Sequence, residues 1–295
     1  MTGVAVCLNP NAGTNPETAQ SNSFQLVGDT EDAQIAWQEQ QEFARLLRAE
    51  GIRVVALGAP PGTPDAAFPN NWFSTHADGT VVIYPMESEL RRREREVDHL
   101  LSRLDEGGWA VNQVLNLAYL EDSGVYLEGT GSLVIDRPNR VAYASISSRT
   151  HPEAVSIACA ALKLEPLVFE TSFLGQPIYH TNVVLSVGSD FAVVCREVIP
   201  NPNELVCNLM LTGKHIVTIS VDQLAAFCGN IFQVDDKILM SKTARYAFRP
   251  DQLEVIAQGR KLIVADVSTL EKLGGGSVRC MVAEIRLPLK PVTAL

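Results

Sequence analysis

The chain is 295 residues long, 46% hydrophobic and 20% charged, with a formal net charge of −10. That length can bury a full core. An acidic balance without clustered Lys and Arg argues against a nucleic-acid partner, and no apolar run approaches the ~18 residues of a membrane-spanning helix.

In chain order, the opening "MTGVAVCLNPNAG" has neither a basic region nor a long apolar run, so no signal peptide is expected. A helical pattern over 31–50 places Ala36, Phe43, Leu46 and Leu47 on one face, and the strand "IRVVALG" follows from 52. "FPNNWFSTH" (68–76) reads as a turn running into a strand. The next helical pattern, 87–106, carries "RRRER" from Arg91 to Arg95, which reads as a solvated helix face. The strand "VNQVLNL" starts at 111. Then "GSLVID" and "RVAYASI" flank the turn Arg137-Pro138-Asn139, ahead of a helix over 151–163 and a strand "LEPLVFE" from 164. "TNVVLSVG" and "FAVVC" flank Ser189-Asp190, ahead of a helix over 202–213 and "HIVTIS" from 215. "NIFQV" and "KILMS" flank Asp235-Asp236, ahead of a helix over 249–259 and "KLIVAD" from 261.

The strands that follow the helices start at intervals of roughly 45–60 residues, which marks an internal repeat. The unit is strand, strand, helix, strand. It is clear at about 131–170, 180–220 and 229–266, and weaker at about 68–117. A fifth unit forms if "RCMVAEIRL" near the C-terminus pairs with "GVAVCLNP" near the N-terminus. The expected fold is therefore α/β, a five-bladed propeller of ββαβ units around a central cavity, with residues 1–295 as one domain. Closure would leave no bare sheet edge.

Chemistry is expected where strands meet loops. In "LGGGSVRCMVAEI" (273–285), three glycines approach Cys280, the candidate nucleophile. Such glycines keep a sulfur reachable and offer N–H groups to developing negative charge. His180, in "PIYHTNVVLSVG", opens a strand with Asn182 on the same face, and is the candidate general acid and base. Glu128, beside Gly129 and Gly131, is placed to orient His180. Phe68 offers an apolar wall and Asn71 an amide. The six cysteines have no CxxC pairs, which suits reduced thiols in a cytoplasmic setting, and the five besides Cys280 read as small core residues. His215 between Cys207 and Cys228 fits no common zinc spacing, so no metal is expected.

These segments resemble the pentein superfamily of guanidino-group-modifying enzymes, which includes arginine deiminases, dimethylarginine hydrolases and amidinotransferases. "GGGSVRC" is similar to the family's approach to its nucleophilic cysteine, "LEGTGSLVID" to its Glu-Gly segment and "YHTN" to its His-x-Asp segment. The resemblance implies Cys280, Glu128 and His180 as catalytic residues and the same five-bladed fold. "SISSRT" (145–150) is similar to a segment whose arginine holds the substrate α-carboxylate, which implies that role for Arg149; the residue pattern alone suggests a surface arginine paired with Glu153. "NPETAQSNSFQ" (15–25) with "FPNNW" is most similar to the citrulline utilisation subgroup.

The deiminases carry aspartates where this chain has Asn71 and Asn182. Those aspartates grip a cationic guanidinium, whereas an amide suits a neutral ureido group. The expectation is a cysteine hydrolase of a carbon–nitrogen bond, with citrulline preferred, giving ornithine, ammonia and carbon dioxide through a thioester on Cys280. An arginine deiminase-like hydrolase, an amidinotransferase and a silent amino-acid-binding protein are the alternatives. No cofactor and no metal are implied, the expected partner is a small-molecule amino-acid substrate, and a homo-oligomer stays open.

Overall fold

In the computed structural model, which describes residues 3–291, the apolar runs form fifteen strands in five three-stranded sheets. The chain enters through β1 (Gly3–Leu8), α1 (Thr30–Ala49) and β2 (Arg53–Gly58). Asp29 starts α1 with a reciprocal capping box to Asp32, satisfying amide groups that the first turn leaves free. The second sheet holds β3 (Phe73–Thr75), β4 (Thr80–Ile83), the helices α2 (Glu89–Arg92) and α3 (Val97–Glu106), and β5 (Gln113–Asn116). The third comprises a one-turn helix α4 (Gly129–Ser132), β6 (Leu133–Asp136), β7 (Val141–Ser145), α5 (Pro152–Leu162) and β8 (Glu165–Phe169). The fourth repeats this with α6 (Thr181–Val184), β9 (Leu185–Val187), β10 (Phe191–Val194), α7 (Pro202–Leu211) and β11 (His215–Thr218). The fifth has α8 (Val221–Ala225), β12 (Phe232–Val234), β13 (Lys237–Ser241), α9 (Lys242–Ala247), α10 (Pro250–Ala257) and β14 (Lys261–Ala265). Finally α11 (Ser268–Gly274) leads to β15 (Ala283–Ile285).

Each sheet has one design. The middle strand pairs antiparallel with the inner strand and parallel with the outer one, as in β6–β7–β8 and β9–β10–β11. A short turn suffices for the antiparallel pair, whereas the parallel pair needs a crossover, and the long helices supply it. Middle strands such as β7 and β10 are buried throughout and read as unbroken apolar runs, while outer strands such as β5 and β11 are largely exposed. Inner strands meet around the axis, β15 against β3, β6 against β9 and β9 against β12. The first sheet closes as expected: β15 pairs antiparallel with β1, Gly3 opposite Ile285 and Ala5 opposite Ala283. The fold is the five-bladed α/β propeller that the repeat predicts.

Two local expectations need correction. The helical pattern over 87–106 is broken at 93–96, between α2 and α3. His180 does not open a strand; it is the N-cap of α6, and Asn182 lies inside that single turn. A four-residue helix is too short to show its period in a sequence that continues into a β run.

Candidate active site

Every sheet sends the segment ahead of its inner strand to the same end of the axis. Asn71 ends the 3₁₀ turn Pro69–Asn71 before β3, Glu128 is the N-cap of α4, and His180 is the N-cap of α6. Asn230 precedes β12 and Cys280 lies in the turn before β15. All five are at most 3% exposed.

Glu128 is the hub. Its Oε2 lies 2.8 Å from His180 Nε2, 3.6 Å from Arg91 Nη1 and 3.7 Å from Arg149 Nη1, while its Oε1 accepts from Glu87 N–H. Burial alone would raise this carboxyl, but Arg149, His180 and Arg91 together bring it down to about 2. The carboxylate is thus ionised and accepts from Nε2–H, which leaves Nδ1 of His180 as the basic nitrogen. Burial brings the His180 ring down to about 4 against the pull of Glu128, so it is neutral at pH 7.

Cys280 Sγ lies 3.2 Å from Asn230 Nδ2 and 3.5 Å from Asn182 Nδ2. Burial raises its pKa, opposed by the Asn230 hydrogen bond and by Arg279. The resting group is a thiol. Asn230 also braces the turn that carries it, because its Oδ1 accepts from the N–H groups of Ser277 and Arg279. The glycines before Cys280 serve mainly as clearance. A Cβ at Gly274 would stand 2.2 Å from the Phe68 ring, and one at Gly276 would stand 3.3 Å from Cys280 Sγ. Gly275 has φ +62° and donates its N–H to Glu271 O at the end of α11. The side-chain donors at the resting sulfur are the amides of Asn230 and Asn182.

Asn71 has a fixed orientation. Arg91 Nη1 donates to its Oδ1 at 2.7 Å, and a guanidinium can only donate, so Nδ2 points the other way. That Nδ2 is buried without a hydrogen-bond partner, and it stands beside Gly131, where a Cβ would meet it at 2.4 Å and His180 Nδ1 at 2.8 Å. Phe68 contributes its ring and a carbonyl that accepts from Arg91 Nη2. The expected site residues are therefore brought together. Phe68, Asn71, Arg149, His180 and Cys280 line one cavity, with Glu128 on His180 and Asn182 on the sulfur.

Three residues of this cluster escape the sequence reading. Arg91, expected in a solvated run, is 2% exposed and pairs with Glu94 through two contacts of 3.0 Å. Asp65 is buried in the same cavity, with Oδ2 accepting from Thr18 Oγ1 and Asn15 Nδ2 and with Oδ1 unpartnered. Burial raises its pKa, with Arg91 as the main opposing influence. Glu128 is thus not the only acid near the thiol. Asn230 reads in the sequence only as the start of the run "NIFQV"; the signal that could have found it is its position just ahead of the inner strand, where the other sheets also place a site side chain. Arg149 does not reach to Glu153. It faces inward, stacks 4.9 Å over Tyr179, and donates to Thr18 O and Ser21 Oγ. Cys207 is exposed on α7, so not every remaining cysteine is a core residue.

The cavity is nearly shut, at about 10 Å³, roughly the room of one water. Residues 15–25 form a strap across it. Glu17 accepts from Ser88 Oγ, Thr18 engages both Asp65 and Arg149, and Asn22 donates to Gly274 O.

Residues 9–287 match the family model for eukaryotic N,N-dimethylarginine dimethylhydrolase. No curated protein sequence matches the chain. Among solved structures, ArgZ, an arginine dihydrolase from the ornithine–ammonia cycle in cyanobacteria, is 15% identical with a TM-score of 0.75, over 99% of this chain and 42% of that one. Unliganded AgrE is 15% identical with a TM-score of 0.77, over 98% of this chain and 40% of that one. DDAH from Pseudomonas aeruginosa, in complex with citrulline, is 15% identical with a TM-score of 0.68, over 96% and 98% of the two chains. The chain spans about two fifths of full-length ArgZ and AgrE. At these identities the likeness establishes the fold.

Proposed function

The chain belongs to the N,N-dimethylarginine dimethylhydrolase family, hydrolases of carbon–nitrogen bonds in guanidino compounds, and on that premise we propose a cysteine hydrolase whose preferred substrate is the ureido amino acid citrulline. The observation that carries the preference is the amide of Asn71. Its unpartnered Nδ2–H asks for an acceptor. A ureido group offers a carbonyl oxygen, whereas a guanidinium offers only donors. Asn182 adds a second neutral amide, its Nδ2 lying 3.5 Å from the sulfur where the deiminases carry an acid.

The reaction then runs as follows. Cys280 Sγ attacks the ureido carbon while its proton passes to His180 Nδ1, and Glu128 stabilises the resulting imidazolium. The Asn71 amide donates to the oxygen as it gains charge. His180 returns the proton to the departing δ-nitrogen, which releases ornithine and leaves an S-carbamoyl thioester. Water, deprotonated by His180, attacks that carbonyl. The thiol is regenerated, and the carbamate released decomposes to ammonia and carbon dioxide. Arg149 receives the α-carboxylate in place of Thr18 O, and the free Asp65 Oδ1 accepts from the α-ammonium.

A guanidino substrate is the second reading, favoured by the family match and by the carboxylate of Asp65, which could serve a cation at the reacting group instead. The test is turnover of citrulline, arginine and dimethylarginine, following ornithine, citrulline and ammonia. The expected result is a kcat/KM for citrulline at least ~100-fold above that for arginine, because each unpaired buried donor costs about 1–3 kcal/mol. The double substitution Asn71→Asp with Asn182→Asp should shift the ratio toward arginine. Arginine or dimethylarginine turned over as fast as citrulline by the natural chain would refute the citrulline reading.

A further inference from the structure

The propeller axis has a second cavity. It measures about 240 Å³ and lies at the other end of the inner strands from the thiol, ringed by the hairpin turns that carry Arg137, Ser189 and Asp235. Asn182 and Thr130 line its floor, and Asn182 Nδ2 donates to Thr130 O at 3.2 Å, so one layer of side chains separates it from Cys280.

Its charges are unusual for a chain of net charge −10. Arg137, Arg279 and Arg286 all reach this cavity. Glu284 is shared between two of them, at 2.8 Å from Arg137 and 2.7 Å from Arg286. Asp136 is matched by Lys214 at 3.0 Å, and Asp235 stands at the rim. Arg279 has no carboxylate within ion-pair distance among the described residues; it rests 4.4 Å over Phe232 and donates one N–H to Val282 O. Burial lowers its pKa, with Glu284 the main influence the other way. A part-buried arginine that faces a cavity with no acid beside it has surplus donors. Ser186, which also lines the cavity, has a buried hydroxyl without a partner.

We propose that this axial cavity binds a small oxyanion, gripped by Arg279 with Arg137 and Ser186 beside it. The chemistry suits a tetrahedral anion such as phosphate or a planar one such as bicarbonate, and it is independent of which amino acid the thiol acts on. Titration calorimetry of the full chain with sodium phosphate and, separately, sodium bicarbonate at constant ionic strength tests it. The expected result is one saturable site with a Kd below about 1 mM for at least one of the two anions. Arg279→Gln should weaken it at least tenfold, and Ser186→Leu, which fills the cavity, should do the same; circular dichroism reports whether each variant is folded. Tighter phosphate binding identifies a tetrahedral anion as the preferred occupant, and tighter bicarbonate binding a planar one. Ornithine added to saturation should leave the affinity unchanged. No saturable binding, binding that ornithine displaces, or binding unaltered in folded variants would overturn the proposal, the second by moving the anion to Arg149.

Discussion

At the scale of single residues, Cys280 rests as a buried thiol and His180 as a neutral imidazole, so the proposed nucleophile would form only as the substrate reacts. Cys280→Ser should reduce kcat by at least ~10³ with the fold intact, since an alkoxide is far harder to reach than a thiolate, and Cys207→Ser should leave kcat unchanged. With iodoacetamide at pH 7, the exposed Cys207 should alkylate before Cys280, as peptide mapping would show; the reverse order would mean a resting thiolate. A second expectation concerns acid. Burial brings both His76 and His180 down from 6.5 to about 4. Between those values the unfolded chain binds more protons, so stability is fully present above pH 6.5 and is lost as pH falls toward 4, by about 2 kcal/mol per ring at pH 5. His76→Gln should therefore lessen the drop in urea stability between pH 7 and pH 5; an unchanged drop would count against the neutral buried ring. The sequence made Cys280, His180 and Glu128 legible because each stands within five residues of the start of an apolar run, in a segment similar to the pentein motifs. Arg91 was not legible, because a run of like charges looks solvated until Asn71, Glu94 and Glu128 are seen around its guanidinium. Asp65, in "PGTPDAAF", looks like any turn acid until Thr18 and Asn15 fold over it.

At the scale of elements, hairpins and crossover helices were readable from the alternation of polar turns with strand-like runs. The one-turn helices α4 and α6 were not, yet they aim Glu128 and His180. Gly131 in α4 tests this. A Cβ there would stand 2.4 Å from Asn71 Nδ2 and 2.8 Å from His180. Gly131→Ala should keep the global fold but lower kcat/KM by at least ~10², because small displacements of reacting groups carry large rate penalties. Circular dichroism and kinetics together check it, and an active Gly131→Ala would mean that α4 yields without cost. The strap at 15–25 is the other element with a function. In the closed form, Thr18 O occupies Arg149 as a carboxylate would, and the Thr18 hydroxyl occupies Asp65 as an ammonium would. Ser21→Ala, which removes a hydroxyl from Arg149, should lower KM for an α-amino acid with kcat little changed.

At the scale of the whole molecule, five sheets share one ring, and the ring depends on β1 meeting β15 across nearly the full length of the chain. This closure was legible because the repeat left one unit incomplete at each end. Deleting Gly3–Leu8 should abolish the folded state, although every proposed catalytic residue remains, because it strips a middle strand from between β15 and β2 and leaves both edges bare. Size-exclusion chromatography showing a compact monomer would refute that dependence. The same closure orders events during synthesis. β1 is made before every other strand of the described residues and β15 after them, and Cys280 leaves the ribosome just ahead of the strand that seals the ring. A nascent chain that already holds Glu128 and His180 in place still lacks the one thiol that faces them. On the proposed function, the thiol and the strand that closes the ring arrive together.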